Sequence, residues 1–233
     1  MVGILVELAL SWVLLWFLQK ENLRVLGFYP RTDRLKGFFL LFLIGAVCSV
    51  VAVRLRVLFF KEQYEVNPLL NAKLIWKGFR WNAVSVLYEE LIFRGALLYI
   101  LIKRVGTGKA LAISAIAFGI YHWFSFGILG NAAAMIQVFL ITGIMGWVLA
   151  YSYARSGSLY MAIGLHLGWN FTHGFVLSKG SIGNGVFILS QNQPVVTVSY
   201  FTYYAVTLLP LIATYIVSYF ATRKQAAKSI EPI

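Results

Sequence analysis

The chain has 233 residues, of which 60% are hydrophobic and only 12% charged, and its mean hydropathy is +0.78. Soluble domains carry more charge and fewer long apolar runs, so composition excludes a soluble globular fold and predicts a polytopic membrane protein. The net charge of +12, from 20 basic and 8 acidic residues, then reads as loops facing anionic lipid on the cytoplasmic side, with no nucleic acid as partner.

A membrane span needs roughly 20 mostly apolar residues. In chain order the segments that meet this are 3–19, 37–54, 80–102, 110–127, 132–153, 158–178 and 196–221. They predict an all-α, polytopic transmembrane helix bundle of about seven spans. The first is read as a span and not as a cleavable signal peptide: it lacks a basic leading region, carries Glu7 and shows no small-residue cleavage site. Residues 55–79 mix charged and apolar side chains and read as an interfacial helix plus loop. Residues 179–195, rich in Gly, Ser, Asn and Gln, read as a loop, and 222–233 as a basic tail. Neither a repeat nor a composition shift divides the chain, so 1–233 is expected to form one integral membrane domain. Cys48 is the single cysteine, which rules out an internal disulfide. With the N-terminus outside, twelve basic residues fall on the inner side and seven on the outer, which favours an N-out, C-in orientation. Short loops and a modest length suit a prokaryotic plasma membrane.

Ionisable groups at membrane depth are costly, so each one is a candidate functional residue. The set is Glu89, Glu90, Arg94, His122, His166 and His173, with Asn170 and Gln137 as neutral additions. Glu90 and Arg94 are four residues apart on one helix face, with the acid first, the better order for a pair. That pairing suits mutual neutralisation and a structural duty. Glu89 lies about 140° around the helix from Arg94 and cannot share the pairing well. It shares its face with Ser85 and Phe93. An unpaired carboxyl in a low-dielectric site suits a general base near neutral pH. The bland alternative is a protonated glutamate bonded to a neighbouring helix.

His122 follows Phe118 by one helical turn, and His166 precedes Asn170 by one. Taken singly, such histidines are more often hydrogen-bonded core residues than catalysts. Gly164 and Gly168 form a GxxxG pair that lets another helix backbone come close. Helical rise puts Glu89 about 21 Å from Lys103, His122 about 20 Å from Lys109 and Asn170 about 18 Å from Ser158. Three helices thus bring acid, histidine and amide to nearly one level, as one site would require.

The sequences Glu89-Glu90-x-x-x-Arg94, Phe118-x-x-x-His122 and His166-x-x-x-Asn170, in this order within apolar segments, resemble the CPBP family. This family holds the CAAX prenyl proteases and bacteriocin-processing proteins, also called Abi. The resemblance covers residues 80–178, the expected catalytic core; His173 lies outside the pattern. It implies an intramembrane endopeptidase whose Glu89 and His122 activate a water while His166 and Asn170 donate hydrogen bonds to the oxyanion. Glu90, Arg94 and Phe118 are then supporting residues. No cofactor is expected; the alternative within the family is a zinc metalloendopeptidase with Glu89, His122 and His166 as ligands. The substrate would be a membrane-associated peptide or protein, with a prenylated C-terminus as one candidate, and the lipid bilayer is the other partner. Two other classes compete: a proton-coupled transporter, disfavoured by the lack of an inverted repeat, and a non-catalytic scaffold or immunity protein, which would gain little from buried polar groups.

Overall fold

A computed structural model describes residues 2–178 and 185–223. Residues 179–184 of the predicted loop and 224–233 of the predicted tail lie outside the described residues. The fold is an all-α bundle with a small sheet at one end. Its helices are α1 (Val2–Gln19), α2 (Thr32–Phe60), α3 (Ala72–Arg94), α4 (Ala96–Val105), α5 (Thr107–Ser125), α6 (Ala132–Ser156), α7 (Leu159–Asn170) and α8 (Tyr200–Thr222). A 3-10 turn (Leu23–Leu26) follows α1, and a π-helical turn (Phe171–Val176) prolongs α7. The strands are β1 (Tyr64–Val66), β2 (Leu177–Ser178) and β3 (Phe187–Leu189).

Among the described residues four helices, α1, α2, α6 and α8, are long and apolar enough to cross a membrane. Their exposed side chains are largely apolar, among them Leu5, Trp16, Phe39, Leu43, Ile136 and Phe220, as expected of surfaces turned to lipid. The chain is an integral membrane protein. Hydroxyls within these helices bond back to the preceding turn: Ser152 donates to the Val148 carbonyl, Thr214 to Pro210 and Thr222 to Ser218. Each such bond satisfies a polar group where no water is at hand.

Two expectations need correction. The apolar run 80–102 is not one helix. It breaks at Gly95, whose φ of −75° and ψ of −137° leave the helical region; a Cβ there would also collide with the Leu91 carbonyl oxygen. Hydropathy sees an unbroken apolar run and cannot register a backbone turn within it. The depth of Glu89 therefore cannot be measured along a single helix to Lys103. The second correction concerns 55–79, which holds no separate interfacial helix. It is the end of α2, the strand β1, a turn and the start of α3. The Asn71 side chain caps α3 by accepting from the Leu74 N–H at 2.9 Å, so the helix begins eight residues before the predicted span at 80.

The sheet order is β1-β3-β2, with β1 antiparallel and β2 parallel to β3. It draws the segment before α3 to the segment after the π-turn. Buried Asn67 fastens the two by donating to the Gly185 carbonyl at 2.9 Å.

The core divides between two groups of helices. Leu15, Val86, Leu98, Tyr153 and Leu167 belong to the first, which joins α1, α3, α4, α6 and α7; Leu41, Leu149, Leu165 and Leu211 belong to the second, which joins α2, α6, α7 and α8. α7 belongs to both and is held closely against α2. Methyl groups at Gly164 and Gly168 would strike the backbone carbonyls of Phe38 and Phe42, and one at Gly45 would strike that of Leu165. The GxxxG pair thus brings α2 close to the helix that carries His166 and Asn170.

Candidate active site

One cavity of about 620 Å³ runs into the bundle, and Glu89, His122, His166 and Asn170 all line it. They come from α3, α5 and α7, the three helices expected from the sequence. α6 and α8 close the wall with Thr142, Met145 and Leu211, contributions that no motif announced. Exposed Trp81 and Phe126 also line the cavity.

Glu90 and Arg94 do not line it. Both side chains are fully buried and paired at 2.9 Å across one helical turn, as their spacing predicts. The Arg94 guanidinium also donates to the Gly146 carbonyl at 3.1 Å and lies 4.2 Å from the centre of the Phe118 ring. Phe118 thus covers a buried cation on one side. On the other it meets His122 and His166 edge-on, at ring separations of 4.5 and 5.9 Å.

The two histidines have their tautomers set by what their Nδ1 atoms face. His122 Nδ1 is 2.7 Å from the Phe118 carbonyl oxygen. A carbonyl can only accept, so Nδ1 carries the hydrogen and the neutral ring keeps a lone pair on Nε2. His166 Nδ1 is 2.7 Å from Glu90 Oε1, an atom that also accepts from Arg94. There too Nδ1 donates, and Nε2 accepts from the Asn170 amide at 3.0 Å. Glu90 thus does more than balance Arg94: it holds the His166 ring in place. Sequence spacing along one helix gave no sign of this bond between helices.

Glu89 is placed differently from its neighbour. Its Oε1 is 3.5 Å from Ser85 Oγ, and its Oε2, buried and without a hydrogen-bond partner among the described residues, is 3.6 Å from His166 Nε2. With both carboxylates ionised, Glu89, Glu90 and Arg94 sum to a charge of −1, so a single proton balances the cluster.

His173 lines the same cavity and stacks on Trp169 at 5.9 Å with 20° between the rings. Gln137 is not among the lining residues; its amide donates to the Tyr203 hydroxyl.

Residues 71–172 match the family model described as type II CAAX prenyl endopeptidase, Rce1-like. This segment of the chain is similar to the CAAX prenyl protease family. The matched segment runs from the N-cap of α3 into the π-turn and holds all three polar motifs. CAAX prenyl endopeptidases are peptidases, and the chain is of that general type. Comparison with curated proteins and with solved structures gives no match.

Proposed function

We propose that the chain is an intramembrane endopeptidase in which Glu89 is the general base. The observation that carries this reading is the Glu89 carboxylate: it lines the 620 Å³ cavity with one oxygen unpartnered among the described residues, 3.6 Å from His166, and His122 and Asn170 line the same cavity. Glu89 takes a proton from a water in the cavity, and the His122 Nε2 lone pair holds that water for attack on the peptide carbonyl. The Asn170 amide has two N–H groups. One is engaged with His166, and the other donates to the oxyanion as it forms. His166, braced by Glu90, orients that amide. When Glu89 passes it the proton over the 3.6 Å that separates them, His166 Nε2 releases the Asn170 amide and becomes a second donor. The proton then leaves with the new amine. Glu90, Arg94 and Phe118 keep this arrangement rigid, and the substrate is a peptide or protein that reaches the cavity from the membrane. In this reading residues 80–178 are the catalytic core of a single membrane domain.

A catalytic zinc usually takes three protein ligands. As arranged, His166 has both ring nitrogens engaged, which leaves Glu89 and His122 Nε2. Among the described residues no three His, Cys, Asp or Glu side chains are grouped to hold an ion. The set does not fit that metal, and the mechanism above has no step through it.

The test is cleavage by purified protein. Glu89→Gln and His122→Ala should each abolish cleavage while the protein still folds, and chelators should leave the wild-type rate unchanged. Retained cleavage in Glu89→Gln would overturn the assignment of the base. Chelator-reversible activity that tracks one bound zinc would overturn the metal-free mechanism.

A further inference from the structure

The first turns of α3 carry charge that the bundle does not balance. From Ala72 to Tyr88 the helix holds Lys73, Lys77 and Arg80, all exposed, and no acid. At 100° per residue the three cations fall within about 60° of one another, with Trp76 about 40° to one side of the strip and Trp81 about 40° to the other. Both tryptophans are exposed. None of the three cations forms an ion pair among the described residues. Glu65, the acid that precedes them most closely in the chain, stands exposed on β1 and is likewise unpaired there. Lys73 and Lys77 lie one turn apart, and like charges at that spacing repel. Leu69 and Leu74 line a groove of about 240 Å³ together with these two lysines.

The strip lies at the level where the lipid-facing helices end. α2 closes with exposed Phe59, and α8 opens with exposed Tyr200 and Phe201. Gln63, between α2 and β1, bonds Gln193 just ahead of α8, and β1 leads through a turn into α3. Tryptophan and tyrosine collect at the boundary between hydrocarbon and headgroups, and lysine and arginine beside them reach outward to the headgroups. Trp81 also lines the cavity, so the strip borders the cavity on its exposed side.

We infer that this strip is a docking surface for anionic phospholipid. The three cations face the lipid's phosphate and headgroup charge, Trp76 and Trp81 flank the headgroup, and Leu69 and Leu74 meet the apolar part below it. An acidic protein segment would satisfy the same charges, but the aromatic flanks at bilayer level and the apolar lining of the groove match a lipid. A lipid held here stands beside the cavity and relieves the repulsion along α3.

The experiment reports lipid contact at the strip itself. The single cysteine is removed by Cys48→Ala, and an environment-sensitive fluorophore is attached through Leu69→Cys, in the groove. The protein is placed in phosphatidylcholine bilayers that contain, at equal mole fraction, nitroxide-labelled phosphatidylglycerol or nitroxide-labelled phosphatidylcholine. A basic residue near an anionic surface favours contact by about fivefold, so the anionic lipid should quench with at least about fivefold higher apparent affinity at low salt. The preference should shrink as salt screens the charges. Lys73→Gln with Lys77→Gln and Arg80→Gln should bring the ratio close to one, while a second label at exposed Leu35→Cys, on α2, should report the same ratio with and without those changes. A melting temperature for the triple variant within a few degrees of the parent's shows that the fold is kept. Equal quenching by the two lipids in the parent would overturn the inference, as would an undiminished ratio in the triple variant. Equal quenching by the lipids together with a response of the groove label to a soluble acidic peptide would assign the strip to a protein segment and overturn it too. No cleavage is measured, so these outcomes are independent of the protease reading.

Discussion

Replacing Glu90 by Gln keeps the shape of the side chain and removes its charge. Arg94 is then a fully buried guanidinium with no anion beside it. Breaking a buried pair from one side costs about 3–5 kcal/mol. Arg94 keeps the Gly146 carbonyl and the Phe118 ring, which places the expected loss at the lower end, about 3 kcal/mol. For a chain of this size that is a drop of roughly 6–12 °C in melting temperature, measured on purified protein in detergent. The second variant, Glu90→Gln with Arg94→Met, removes the stranded charge and should recover at least half of the loss. It should not recover cleavage, because His166 loses the carboxylate that fixes its ring. A Glu90→Gln protein as stable as the wild type would refute the reasoning, and so would a double variant whose loss is the sum of the two single losses.

Three further outcomes follow from the geometry. Asn170→Ala should lower kcat by about 10²–10³ with little change in KM, since it removes an oxyanion donor; steady-state kinetics on one peptide separates the two. Glu89→Gln should keep the wild-type melting temperature to within a few degrees while cleavage falls by at least about 10²-fold, because the carboxylate makes no close ion pair that Gln would break. Gly168→Val should lower stability by about 1–3 kcal/mol, through the collision with the Phe42 carbonyl on α2. It should also reduce cleavage, as α7 is pushed out of line. Thermal melts alongside cleavage rates check both effects.

Much of this architecture can be read from the sequence, for a definite reason. Burying an ionisable or amide group in an apolar segment is costly enough that Glu89, His122, His166 and Asn170 stand out against their surroundings, and all four line one cavity. The separation of Glu89 from Glu90 also follows from helical angle alone, because Arg94 can serve only one of them. The bond between Glu90 and His166 is a different matter, since it joins side chains 76 positions apart and no local spacing encodes it. The break at Gly95 escapes hydropathy because the residues on both sides are equally apolar. The sheet escapes as well: strands of two and three residues are too short to show an alternating pattern. The walls given by α6 and α8 are built from ordinary residues such as Met145 and Leu211, which carry no chemical signal of their own.

The bond from Asn67 to Gly185 spans 118 positions and closes a loop that contains α3 through α7 entire. During synthesis Asn67 emerges long before its partner, so this contact cannot form until every helix bearing a polar motif has already left the ribosome. A contact of such sequence separation is also slow to close on entropic grounds. The small sheet is therefore a late latch, fastened only after the helices that line the cavity have been made.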